Sequence, residues 1–218
     1  MRSAVNEQAR RMESAGFTLI EVLVSLAIVS MVIAALGTLF ARSGRVYTTQ
    51  NATAALQQEV RAALDIITTE ARMAAYNPTK AKPKISERIA IRSATATRFH
   101  FSTDLDENGK AAAAYNGDGE CENRSFRFSL QNNGIQMLCG EGTGSPSSEF
   151  LIGGTNSAVR VVALDFAYRD KENNPTSLSS KIRNVIVTIV AEAPAGQRGM
   201  IRRAYTTSVD IRNAGPNT

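Results

Sequence analysis

The feature that most limits what this 218-residue chain can become lies near its start. Residues 17–41 (FTLIEVLVSLAIVSMVIAALGTLFA) carry one charge, Glu21. A helix of about 20 apolar residues crosses a bilayer, so this run is long enough to span one. A carboxylate inside such a run is expensive and marks function rather than packing. Glu21 sits four residues after Phe17. If the bond after Gly16 is cut, Phe17 gains a free α-amino group, cationic at neutral pH. The apolar helix then opens with a cation and an anion, which copies packed side by side can pair between chains. Burying either charge alone is costly, so such pairing would set the register of one helix against the next.

The segment before this run, MRSAVNEQARRMESAG, is polar, with Arg2, Arg10 and Arg11 against Glu7 and Glu13. A secretory signal places its apolar stretch before the cut. Here the apolar part follows, so it would stay in the mature protein. Removing residues 1–16 takes away three Arg and two Glu, lowering the net charge of +5 by one. No Lys/Arg run makes a basic patch, so an ordinary solvated surface is favoured over a nucleic-acid partner. Arg42 and Arg45 lie just beyond the far end, so charge bias orients the helix only weakly.

The helical pattern continues past the apolar run. No proline occurs before Pro78, and residues 47–76 are rich in Ala, Gln, Glu and Arg. Leu56, Val60, Ala63, Ile67, Ala71 and Ala74 recur at spacings of three and four, with Leu64 and Ala75 widening the stripe. Asn77-Pro78 is the expected stop. One helix over 17–76, with 17–41 in the membrane, would be about 90 Å long at 1.5 Å per residue.

After Lys84 the period changes to two. Ile89 and Ile91 alternate, as do Phe99 and Phe101, then Phe126, Phe128 and Leu130. Asn132-Asn133-Gly134 signals a turn, and Ile135 and Met137 resume the alternation, which predicts a hairpin. Val162, Leu164, Phe166 and Tyr168 alternate again. Ile182 to Glu192 reads as a central strand and Met200 to Ile211 as the last. Strands joined by short connections predict an antiparallel sheet, and one helix against it is an α+β fold. The expected division is 1–16, 17–76 and a β-rich domain over 77–218.

Gly16-Phe17-Thr18-Leu19-Ile20-Glu21-Val22 resembles the class III signal of type IV prepilins and of type II secretion pseudopilins. The resemblance implies the type IV pilin fold, cleavage between Gly16 and Phe17 by a membrane-embedded prepilin peptidase, and N-methylation of Phe17. It implies that Glu21 pairs with the N-terminus of a neighbouring subunit, and that the partners are minor and major pilins and an inner-membrane assembly platform. It also implies one pass through the inner membrane with the C-terminal domain periplasmic, and later a place in a fibre. Ser208-Val209-Asp210-Ile211-Arg212-Asn213 and Ala71-Arg72-Met73-Ala74-Ala75-Tyr76 resemble PilW-like minor pilins and J-type pseudopilins. A minor pilin that helps prime assembly and enters the fibre, with the tip as one location, is the leading reading. A secretion pseudopilin and a tip adhesin or DNA-uptake subunit are the alternatives.

Cys121 and Cys139 are the only cysteines. In an oxidising compartment such a pair is expected as a disulfide rather than two free thiols. Two Cys and the single His100 fall short of a zinc site. Asp104, Asp106 and Asn108 place oxygen donors at positions one, three and five before Gly109, as an EF-hand loop begins, but the twelfth position is Tyr115 rather than Glu. Asn116, Asp118 and Glu120 offer further oxygens. A polar turn is the favoured reading and a calcium site the other; no other cofactor is indicated. His100, between Phe99 and Phe101, is expected to face solvent. No nucleophile elbow, P-loop or dinucleotide fingerprint is present, so the chain reads as a structural subunit rather than an enzyme.

Overall fold

A computed structural model describes residues 16–80, 89–111, 120–141, 146–196 and 199–213. Among the described residues are one α-helix, α1 (Leu19–Arg72), and eight strands: β1 (Ile91–Thr95), β2 (Arg98–Ser102), β3 (Asn123–Ser129), β4 (Gly134–Cys139), β5 (Ser147–Ile152), β6 (Arg160–Arg169), β7 (Asn184–Pro194) and β8 (Met200–Asp210). By its contacts the chain divides into two units, residues 1–46 and residues 47–218.

In the first unit every described residue, 16–46, is exposed, including Leu19, Ile28, Ile33 and Phe40. This helical stretch is long and apolar enough to cross a membrane. A helix apolar on all sides with no buried face needs lipid or partner helices around it.

In the second unit the helix is one-sided. Leu56, Val60, Ala63, Ile67 and Ala71 are fully buried, and Leu64 nearly so, which is the predicted stripe. Each large side chain so buried contributes about 1.5–3 kcal/mol. The helix ends at Arg72, before the predicted stop at Asn77-Pro78. The reason is tertiary: Ala75 takes a positive φ of 61° and turns its N–H to Ser102 O (3.0 Å), while Asp104 N–H reaches Tyr76 O (2.9 Å). The chain leaves the helical ladder to bond the end of β2.

The strands form two antiparallel sheets, one of order β1-β2-β3-β4-β5 and one of order β6-β7-β8. Phe99, Phe101 and Phe126 of the first sheet meet Phe166 and Tyr168 of β6, with ring centroids 5.1–6.2 Å apart along Phe99–Phe101, Phe99–Phe166, Phe99–Tyr168 and Phe101–Phe126. The Tyr168 hydroxyl donates toward Thr95 O and Arg98 O (2.9 and 3.0 Å), and Phe166 N–H bonds Ala96 O (2.7 Å), tying the two sheets at the β1–β2 turn. Burial pushes the Tyr168 hydroxyl pKa up, with a smaller push from Asp165, so it stays a donor.

Four details depart from the sequence pattern. The sheet is split in two, and β5 was not signalled, because an edge strand reading SSEFLI has few inward positions to fill. The β3–β4 turn takes residues 130–133, leaving Leu130 exposed outside the strand. Asn133 supplies a positive φ of 47°, and a side chain on Gly134 would strike the backbone of Ile152 and Gly154. In β6 a register shift between Val161 and Ala163 sets Val161, not Val162, in the core with Leu164.

Candidate functional site

Two places carry chemistry. The first is the start of α1. Gly16 and Phe17 precede the helix, and Phe17 is 83% exposed. Thr18 is its N-cap. The Glu21 N–H donates to Thr18 Oγ1 (3.3 Å), and the Thr18 N–H and hydroxyl donate to Glu21 Oε2 (3.4 Å each). This is a reciprocal capping box, and Thr18-Leu19-Ile20-Glu21 was its unread sequence signal. The carboxylate also suits the positive end of the helix dipole. Ser25 Oγ donates to Glu21 O (2.8 Å). Residues 1–15 of the leader lie outside the described residues.

The second place is the neck of the connection between β2 and β3. The register Ser102↔Asn123 ends the strand pairing, and Thr103 N–H continues it to Glu122 O (2.8 Å). Asp104 and Asp106 leave on one limb, and Cys121 and Glu122 return on the other. The structure joins Cys121 to Cys139 in a disulfide, fastening the return limb to the end of β4. Asp104 and Glu122 are fully buried, while Asp106 is partly exposed. One oxygen from each of the three carboxylates lies within 4.8 Å of the others.

The surrounding backbone orients these groups. Glu122 Oε1 accepts the N–H groups of Leu105 (2.8 Å) and Asp106 (3.3 Å). Asp104 Oδ2 accepts from Gly109 N–H (3.1 Å) and the Thr79 hydroxyl (3.4 Å), leaving Oδ1 buried with no hydrogen-bond partner. Burial pushes the Asp104 carboxyl pKa up, the Gly109 N–H opposes this, and the nearby Glu122 and Asp106 charges add to the push. Asn108 meets Asp106 as a donor. Its N–H and side-chain amide donate to Asp106 (3.1 and 2.5 Å), and its Oδ1 accepts from Lys110 N–H (2.8 Å). Glu122 was missed by the sequence reading. Tyr115, Asn116 and Asp118 lie outside the described residues.

His100 does not face solvent; it is buried. Its outer face is covered by polar neighbours. Asn123 Oδ1 accepts from Nε2–H (2.5 Å), and Arg98 Nη2 lies 3.5 Å from Nδ1. Glu141, which pairs with Arg98 at 2.6 Å, lies 3.9 Å from Nδ1. Desolvation lowers the His100 pKa, outweighing the upward pulls of Asn123 and Glu141, and Arg98 and Arg92 add to the lowering. On the far side Glu70 of α1 forms an ion pair with Arg124 of β3, fixing helix to sheet within the second unit.

The family described as Prepilin peptidase-dependent protein B matches residues 49–211, about three quarters of the chain. The chain belongs to that family. The Prokaryotic N-terminal methylation motif matches residues 11–37, across Gly16, Phe17 and Glu21. The chain is thus a member of the type IV pilin and pseudopilin superfamily. Among solved structures, a type IV-like pilin from Thermus thermophilus is similar, at 13% identity and a TM-score of 0.49, covering 73% of this chain and 98% of that one. No curated protein matches the chain. As a prepilin peptidase-dependent family member with the methylation motif, the chain has the features of a subunit processed by that peptidase and assembled with other pilins. Its exposed apolar helix is consistent with membrane anchoring.

Proposed function

We propose that the chain is a structural subunit of a type IV pilus, a minor pilin that enters the fibre by its N-terminal helix and helps to prime assembly. The observation that carries this reading is the start of the chain: a peptidase motif at Gly16-Phe17 opening directly into an apolar helix in which no described residue before Leu56 is buried. The leader lies in the cytoplasm and the β-rich unit in the periplasm. The peptidase cuts after Gly16, and the new Phe17 amino group is methylated. In the packed helices of a fibre, that cation and the Glu21 carboxylate of an adjacent subunit neutralise each other. The inner-membrane assembly platform is the docking site for the processed chain. The work of the subunit is electrostatic and steric rather than catalytic.

The test begins with processing. Mass spectrometry of the subunit recovered from sheared fibres should start at a methylated Phe17, and Gly16→Leu should leave the leader in place. An intact Met1 on fibre-associated protein refutes the reading. A deletion strain separates pilin from pseudopilin: loss of surface fibres supports the first, and loss of a secreted enzyme with fibres retained supports the second.

A further inference from the structure

We propose that the neck of the β2–β3 connection is a calcium site whose protein ligands are Asp104, Asp106 and Glu122. Calcium holds its oxygens at about 2.3–2.6 Å, so two ligands on one ion stand at most about 5 Å apart. The three carboxylates each bring an oxygen within 4.8 Å of the others, inside that limit.

The second observation is independent of the cluster's charge. Asp104 is fully buried, yet its Oδ1 has no hydrogen-bond partner. Buried carboxylate oxygens without a partner are rare because desolvation is uncompensated. Its other oxygen is held by Gly109 N–H and the Thr79 hydroxyl, which fixes the plane of the carboxylate. Glu122, equally buried, is fixed by two backbone N–H groups of the Asp104–Asp106 limb. Two buried carboxylates and a third beside them repel each other, and a divalent cation removes that repulsion while satisfying the orphan oxygen.

The donor set selects the ion. All three ligands are hard oxygens. The nearby nitrogen and sulfur groups are engaged elsewhere, His100 with Asn123 and Cys121 with Cys139. Magnesium demands a tight octahedron and keeps most of its waters, whereas calcium accepts ligands from a loosely arranged loop. Asp106 is partly exposed, so waters can complete the shell. The arrangement departs from an EF-hand in one respect: the acidic residue that closes the site comes from the returning limb, as Glu122, and is delivered by strand register rather than by loop position.

Full-length protein in detergent, stripped with EGTA, is titrated with calcium chloride by calorimetry and melted with and without the ion. Saturable binding of one calcium is expected, with a Kd of about 10⁻⁴–10⁻³ M, as in extracellular calcium modules, and a rise in Tm by mass action. Magnesium chloride at the same concentration should raise Tm less. Glu122→Gln should abolish the shift. Because Glu122 is buried and its loss alone can unfold the loop, Asp106→Asn is the decisive variant: it should keep the calcium-free Tm and weaken binding about tenfold or more. A Tm and calorimetric trace indifferent to millimolar calcium overturn the proposal. So does wild-type affinity in Asp106→Asn, and equal response to magnesium overturns the assignment to calcium.

Discussion

Replacing Glu21 by Gln separates the cap that its carboxylate forms in the chain from the pairing between subunits proposed for it. In the single chain Glu21 caps α1 through contacts of 3.3–3.4 Å to Thr18, all solvent-exposed. Such long, wet contacts belong at the low end of capping energies, about 0.5–1 kcal/mol. Gln also serves in a capping box, so Glu21→Gln keeps most of that contribution. What it loses is the charge. In a packed helical bundle the neighbour's Phe17 amine would then be buried without a counter-ion, at about 3–5 kcal/mol. That is two to almost four decades in the docking equilibrium, at about 1.4 kcal/mol per decade. Thr18→Val is the converse variant, since it removes the hydroxyl of the cap and keeps the charge. Incorporation, measured as subunit in sheared fibres relative to membranes, should rank wild type and Thr18→Val together, far above Glu21→Gln and Glu21→Ala. All four should be processed and membrane-bound, since removing a charge from an apolar segment favours insertion. If Glu21→Gln enters fibres like wild type while Thr18→Val fails, the carboxylate acts as a cap and the pairing argument is wrong.

Two further outcomes follow from the second unit. Cys121→Ala/Cys139→Ala opens a link across 18 positions of sequence and should lower stability by about 3 kcal/mol, read as a lower urea midpoint of the full-length protein in detergent; an unchanged midpoint would show that the pairing of β3 with β4 alone holds the segment. His100, whose pKa is lowered chiefly by burial, should contribute stability that is full above its unfolded value of about 6.5 and lost as the pH falls from there through the folded value, because the unfolded chain then binds the extra proton. The slope of stability between pH 7.5 and 5 should be shallower in His100→Gln, and identical slopes would count against a neutral buried imidazole.

Much of the fold was legible because its periods are local. The stripe from Leu56 to Ala74 is a helical repeat that buries the residues it names. Phe99 and Phe101, and Leu164 and Phe166, are strand repeats that do the same. What was not legible depends on partners distant in sequence. The helix stops at Arg72 because Ala75 finds Ser102, and nothing in residues 70–76 announces that bond. His100 was expected outside because its neighbours Phe99 and Phe101 point in. That inference assumes a sheet with one bare face, and here Asn123, Arg98 and Glu141 cover the other. The bulge at Val161 shifts which residue points inward by one, a change that a period-two pattern cannot signal.

The acidic neck shows the same limit at the level of a site. Asp104, Asp106 and Asn108 are adjacent in sequence, and a loop motif names them together. In the structure an oxygen of each aspartate lies near one of Glu122, and Asn108 meets Asp106 as a donor. Glu122 reaches the cluster only because Ser102 pairs with Asn123 and Thr103 bonds Glu122 O. Its carboxylate then turns back to the N–H groups of Leu105 and Asp106. None of these contacts exists until β2 and β3 are zipped to their ends. An ion that needs all three carboxylates therefore cannot bind the unpaired strands with comparable affinity. Under the proposed calcium site, ion binding and the last step of strand pairing would be one equilibrium, in which the cation stabilises the neck and the pairing creates the cation's site.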